Sequence, residues 1–216
     1  VDSIAMLRKV YTPGVAEVCR AIVHDPDLGK RFTSIGNTVA IITDGTAVLG
    51  LGSIGLVQAK PVMERKAALH HQFVGVNGVP LLLDVAGIDD LVESVLRVAS
   101  TFSGIHLEDI ASPACFEIVE KLRARLDIPV MQDDQDGTAA VVLGALMSAT
   151  RNLGRGLADV TVGQIGLGAA GQSIAGLLMH ATGRQILGVD LDEDSLVRHE
   201  SLGGIRSPFH EVMEKA

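Results

Sequence analysis

Short apolar runs alternate with segments of helical spacing along most of this 216-residue chain. That rhythm narrows the fold more than any other feature. Thr38–Ile42, Val79–Val85, Val160–Ile165 and Ile186–Val189 read as buried strands, as do the runs Phe102 to Leu107 and Ile128 to Met131. Between them, five segments read as helices: Pro61 to Val74 with Pro in its first turn, Ile88 to Ala99 with acids in its first turn, Ser112-Pro113 through Leu122, Gly137 to Leu153, and Ala169 to His180. Alternation of this kind specifies an α/β fold with a mostly parallel sheet covered on both faces. Gly154-Arg155-Gly156 interrupts the pattern after the long apolar helix. The expected organisation is an N-terminal α/β domain over residues 1–136 and a dinucleotide-binding domain over residues 137–216.

Two carboxylate pairs stand where such a sheet places its working groups, at the carboxyl ends of strands. Glu108-Asp109 follows the run ending at Leu107, and Asp133-Asp134 follows the run ending at Met131. Four acids in one crevice repel and raise each other's pKa unless a cation neutralises them. A hard divalent ion, Mg²⁺ or Mn²⁺, takes oxygen ligands and solves the problem. Either Asp109 or Asp134 alone would read as a helix cap; two pairs at strand ends favour the metal.

Gly166-Leu167-Gly168-Ala169-Ala170-Gly171 follows one strand and opens a helix, and Asp190 ends the next strand. Those are the context requirements of a dinucleotide site. The glycine loop, with Ala169 and Ala170 at the helix start, brings pyrophosphate to the helix N-terminus. Asp190 suits the ribose hydroxyls and therefore NAD, since the 2′-phosphate of NADP would meet its charge. The same letters recur at Gly50-Leu51-Gly52-Ser53-Ile54-Gly55, but the next helix is expected only near Pro61. That stretch reads as a glycine-rich loop able to approach a small substrate.

Val62, Lys66, Leu69 and Phe73 share a face at helical spacing, which puts Lys66 in an apolar stripe. Desolvation there is expected to lower its pKa toward neutrality and suit it to base catalysis, although lysines on such stripes also lift their ammonium into water. His70 and His71 are adjacent and lack metal-ligand spacing. Tyr11, the single tyrosine, lies in the turn sequence Tyr11-Thr12-Pro13-Gly14.

The net charge of -8, the 3% aromatic content and the absence of basic runs exclude nucleic acid as a main partner. Cys19 and Cys115 are isolated, so a disulfide framework is not indicated. No apolar run is long enough to span a membrane, and no signal peptide opens the chain, which leaves the cytoplasm as the expected location.

Tyr11 to Glu17 (YTPGVAE), Ile42 to Gly55 (ITDGTAVLGLGSIG), Ala59 to Ala67 (AKPVMERKA), Thr101 to Ile110 (TFSGIHLEDI), Cys115 to Ile118 (CFEI), Asp133 to Ala139 (DDQDGTA) and Gly166 to Gly171 (GLGAAG) come in that order. Together they make the chain resemble the malic enzyme family, especially its smaller bacterial form. The resemblance implies oxidative decarboxylation of L-malate to pyruvate and CO₂, with NAD or NADP and a divalent metal. It implies metal ligation by Glu108, Asp109 and Asp134, Lys66 as general base, Tyr11 as acid, and Asp133 as an acid that tunes the lysine. It also implies a homodimer or larger assembly. Two departures stand out. Gln132 and Asp136 replace histidines of the bacterial pattern, and Asp136 adds negative charge beside the expected metal site. The chain ends after about one β-α-β unit of the cofactor domain and a polar tail, roughly half of a complete dinucleotide fold. Two other readings therefore stay open: a non-catalytic dinucleotide- or malate-binding homologue, and a metal-dependent oxaloacetate decarboxylase without a redox step.

Overall fold

The computed structural model describes residues 1–216. Its chain forms two parallel sheets in succession. The first has strands β1 (Thr38–Thr43), β2 (Asn77–Leu82), β3 (Gly104–Leu107) and β4 (Val130–Gln132) in the order β2-β1-β3-β4. The second has β5 (Gly163–Ile165), β6 (Leu187–Val189) and β7 (Ile205–Arg206) in the order β5-β6-β7. Helices α1 (Ile4–Val10), α2 (Gly14–His24) and α3 (Leu28–Phe32) precede the first sheet. Then come α4 (Leu56–Val74), α5 (Ile88–Ala99), α6 (Ala114–Arg123), α7 (Thr138–Asn152), α8 (Ala169–Thr182), α9 (Glu193–Ser201) and α10 (Phe209–Lys215).

Strand alternation sorts the first sheet into two unlike faces. Ala40, Ile42, Ile105 and Leu107 join Leu91 and Val95 of α5 and Ile118 and Leu122 of α6 in the larger core. Ile41 turns the other way, toward Ala59, Val62 and Met63 of α4. His106 alternates with Ile105 and Leu107 and pairs with Ile41, so it shares this second face. β2 is an edge strand, which is why Pro80 is tolerated within it. Because all four strands are parallel, Thr43, Leu107 and Gln132 end at the same edge.

A separate core forms where Ala139 of α7 packs with Ile174, Ala175 and Leu178 of α8 and with Ile186. Helix α8 also packs on the turn Asp133–Gly137, so the glycine-loop helix abuts the second carboxylate pair.

Several boundaries depart from the sequence reading; the strand expected from Val160 begins only at Gly163. Helix α4 starts at Leu56, not near Pro61. Pro61 lies inside it, where its missing N–H deprives the carbonyl of Val57, a residue 83% exposed and open to water. The second strand runs from Asn77 to Leu82 and stops short of Val85. The expected polar tail is structured: α9, β7 and α10 give the second sheet a third strand, equivalent to half of a doubly wound dinucleotide fold. Its signal is weak because α9 buries only Leu196 and His199.

Gly78 sets how closely α4 approaches the sheet. A Cβ at this position would lie 2.7 Å from the Ile41 side chain and 2.8 Å from the Ala67 backbone. Gly78→Ala should therefore push out the helix that carries Lys66 and cost about 1–3 kcal/mol of stability by overpacking, read as a lower denaturation midpoint.

Candidate active site

The alternation that places His106 opposite Ile41 puts Glu108 on the same face, at the end of β3. Its backbone N–H donates to the Ile42 carbonyl at 2.9 Å. Lys66, two turns before the end of α4, reaches across to meet it. The Lys66 ammonium lies 3.0 Å from Glu108 Oε1 and donates to Asp133 Oδ2 at 2.6 Å. On its other oxygen, Glu108 Oε2 meets His106 Nε2 at 2.7 Å. The His106 ring in turn stands 5.0 Å from that of His70, centroid to centroid. A polar chain thus runs His70, His106, Glu108, Lys66, Asp133 beneath α4.

Burial alone would push the Lys66 pKa down, and it is the largest single influence. The hydrogen bonds and charges of Asp133 and Glu108 together outweigh burial, and the net shift is upward. The sequence expectation of a lysine moved toward neutrality is therefore corrected: the ion pairs hold it as an ammonium. The stripe that was to desolvate it is also incomplete, since Leu69 and Phe73 are 39% and 78% exposed.

Asp109 follows Glu108 with φ +53°, a left-handed conformation unusual for a non-glycine residue and common at functional sites. Its carbonyl accepts from Ala47 N–H at 3.0 Å, and the Ala111 N–H donates to Thr46 Oγ1 at 2.9 Å, so the start of the loop Thr46–Gly55 is pinned to this stretch. Glycine φ values of +75°, +78° and +92° at Gly50, Gly52 and Gly55 let that loop turn directly into α4. The second glycine motif thus fails as a dinucleotide loop for want of a strand running into it, since β1 ends at Thr43. Asp109 Oδ2 is buried without a hydrogen-bond partner. Burial, then the charges of Glu108 and Asp134, raise the Asp109 pKa to about 6. Asp134 is raised by the same causes, burial first and Glu108 next.

Asp133–Gly137 forms one turn of π-helix, a device frequent at functional sites. Gly137 is required there: a Cβ would sit 2.3 Å from Asp133 Oδ1. Gln132 donates to Asp134 Oδ2 at 3.0 Å and leaves its own Oε1 buried and unpaired. Asp136 does not burden the site with charge as expected. Its Oδ2 accepts from Arg123 at 2.7 Å and from the Gln132 backbone at 3.0 Å.

The potential ligand atoms that come within 4.8 Å of one another are those of His106, Glu108 and Asp133. This set shares only Glu108 with the trio expected from sequence; Asp109 and Asp134 lie beside it, near enough to shift each other's pKa. Tyr11 is not brought into the cluster. It caps the C-terminal end of α1, 66% exposed, and its hydroxyl makes no hydrogen bond. His106 went unnoticed in the sequence, although its i, i+2 relation to Glu108 on a strand was the available signal.

At the second sheet, Gly166 turns with φ +85°, and a Cβ on Gly171 would lie 1.9 Å from the Gly166 carbonyl oxygen. Gly168 has open space around it and no side chain caps the N-terminus of α8, so Ala169 and Ala170 present free N–H groups. Asp190 Oδ2 accepts from Leu167 N–H at 2.5 Å, and Oδ1 from Asp192 N–H at 2.9 Å. Those backbone bonds hold its pKa below the usual carboxylate value. Asp190 also lines cavities of about 410 and 390 Å³ on either side of β6.

Residues 2–87 match the family described as malic enzyme, N-terminal domain. The chain is 49% identical over 215 residues to NAD-dependent malic enzyme 1 of Bacillus subtilis, an alignment covering 99% of this chain and 49% of that protein. It is 43% identical to the NADP-dependent malic enzyme of Haemophilus influenzae, over 80% of this chain and 23% of the relative. The crystal structure of the NAD-dependent malic enzyme of Thermotoga maritima superposes with a TM-score of 0.86 at 36% identity, covering all of this chain and 58% of the other. The chain spans about half the length, or less, of the curated relatives it matches.

The raised Asp109 pKa has a stability consequence. A carboxyl whose folded pKa exceeds its usual value favours the fold while protonated, and that contribution fades as pH rises between 3.8 and about 6. Asp109→Asn keeps the shape without the charge. It should flatten this part of the pH profile of metal-free melting temperature, measured by calorimetry beside the parent.

Proposed function

The chain belongs to the malic enzyme family, and from that membership we propose that it oxidises L-malate with NAD, in preference to NADP, and decarboxylates the product to pyruvate and CO₂. The observation that carries this reading is the partly buried ion-pair cluster of Lys66, Asp133 and Glu108. It lies beside two acids whose pKa values are raised by burial and by the Glu108 charge, and against the helix of the glycine loop.

A divalent cation fits the residues present. Asp109 Oδ2 is an orphaned buried oxygen, and burial together with the neighbouring carboxylates makes Asp109 and Asp134 hold protons more tightly than usual. Glu108, Asp109 and Asp134 would hold it. Bound there, Mg²⁺ or Mn²⁺ supplies a Lewis acid for the C2 oxygen and for the charge that develops as CO₂ departs. NAD, seated on Gly166, Gly168, Ala169, Ala170, Gly171 and Asp190, supplies the hydride acceptor.

Lys66 takes the proton of the C2 hydroxyl. As it stands it is an ammonium, held by two carboxylates. With Glu108 engaged as a ligand, Lys66 would keep Asp133 as its one carboxylate partner, and its pKa would fall from the raised value it has here. Asp133, 2.6 Å away, aims the nitrogen and keeps it in place. Tyr11 gives a proton to C3 of the enol left by decarboxylation, which requires α1 and α2 to dock over the cluster. Neither helix buries a residue, and Ile4, Leu7, Val10, Val15 and Val18 are all exposed. An apolar surface of that kind supports a homodimer or larger assembly. No helix is long and apolar enough to cross a membrane, and both cysteines are free, which supports a cytoplasmic protein.

Malate-dependent formation of NADH is the direct test; a protein that binds NAD or decarboxylates oxaloacetate yet never forms NADH from malate has lost this reading to one of the two alternatives. General bases contribute ~10²–10⁴-fold, so Lys66→Ala should lower malate oxidation well beyond tenfold. Tyr11→Phe should slow ketonisation of the enol more than hydride transfer, and an unchanged rate with oxaloacetate would remove Tyr11 from the chemistry.

Asp190→Ala should narrow the NAD preference by relieving repulsion of the 2′-phosphate. It should also weaken both cofactors, since Leu167 N–H loses its acceptor. A parent that already binds NADP more tightly, by fluorescence titration, would show that Asp190 does not set the choice.

A further inference from the structure

His106 has no assigned part in this chemistry, yet it occupies a costly position. It is 3% exposed, in the middle of a parallel sheet, and its Nδ1 is buried without a partner. Leaving such a group unsatisfied costs about 1–3 kcal/mol. Its other nitrogen, Nε2, points at the carboxylate that Lys66 also engages. His106, Glu108 and Asp133 bring one donor atom each within 4.8 Å. Two donors each about 2.0–2.2 Å from an ion stand at most about 4.4 Å apart. Small side-chain rotations therefore convert the set into a three-ligand site. The Lys66 ammonium now sits between the two carboxylates, bonded to both.

We propose that His106, Glu108 and Asp133 form a second metal site, selective for a borderline transition ion such as Zn²⁺, whose occupation ejects the Lys66 ammonium and silences the base. Imidazole nitrogen suits Zn²⁺, whereas Mg²⁺ prefers an all-oxygen set with retained water. The ion takes over the charge compensation that Lys66 now provides. Glu108 belongs to both donor sets, but Asp109 and Asp134 do not belong to this one, and that separates the two sites experimentally. The loss of the base rests on reading Lys66 in that role; the binding site itself does not.

Titration calorimetry with Zn²⁺ and with Mg²⁺ tests the site on the parent, Asp134→Asn, His106→Asn and Lys66→Ala, each checked for cooperative melting. Outer partners of metal ligands are worth about 10–100-fold in affinity, and His106 is such a partner of Glu108, so His106→Asn should weaken Zn²⁺, which loses a ligand outright, well beyond any effect it has on Mg²⁺. Asp134→Asn should do the reverse. Lys66→Ala removes the competing ammonium and should tighten Zn²⁺. If His106→Asn does not melt cooperatively, the Co²⁺ form of the parent serves instead: one exchange-protected imidazole N–H resonance, from His106 Nδ1, should be paramagnetically shifted. Zn²⁺ affinity that follows Asp134 rather than His106, or that is unmoved by Lys66→Ala, overturns the proposal, as does a Co²⁺ form without that resonance. Zn²⁺ that binds as described to a protein inactive on malate would leave the site standing and bring down the functional reading alone.

Discussion

One ammonium ties the first sheet to the helix above it. Lys66 comes from α4, Glu108 from the end of β3 and Asp133 from the turn after β4, and the three meet within 3.0 Å in a largely buried setting. Removing one partner of such a group strands a buried charge, a defect that typically costs about 3–5 kcal/mol. The surrounding packing is arranged around that contact. Gly78 lets α4 lie low on β2, Gly137 leaves room for the Asp133 carboxylate, and the alternation of β3 directs Glu108 toward α4 and away from the larger core.

Much of this was legible in the sequence because it rests on local signals. The parallel α/β architecture follows from short apolar runs between helical segments, and Ile88–Ala99 was readable to its ends because acids open it and its apolar face is unbroken. The placing of acids at strand ends follows from the same topology. What was hidden depends on partners distant in sequence. The direction of the Lys66 shift is decided by Glu108 and Asp133, 42 and 67 residues away, and spacing within α4 carries no trace of them. Asp136 looked like an added burden because its neutralising Arg123 lies on another element. Pro61 read as a helix start, yet it sits where the helix faces water. Tyr11 is the reverse case: the motif around it is specific, but α1 and α2 pack mainly on each other and on α3 and bury no residue, so nothing holds Tyr11 at the cluster.

The two halves of the chain are joined at their chemistry rather than at their peripheries. The π-helical turn Asp133–Gly137 leads directly into α7, and α7 and α8 share one core. Since α8 begins at the glycine loop and packs on that same turn, only a few packed residues separate the loop from the carboxylates.

Asp190 shows what this compactness does to evolvability. Its carboxylate is both the discriminator expected at the ribose and the acceptor that shapes the glycine loop through Leu167 and Asp192. A lineage moving toward the phosphorylated cofactor cannot simply delete the charge, because the empty loop would lose its form in the same step. It must first recruit another acceptor for the Leu167 N–H, or accept an intermediate that binds neither cofactor well. Cofactor choice at this position is therefore expected to change by paired substitutions, and single replacements are expected to be evolutionary dead ends.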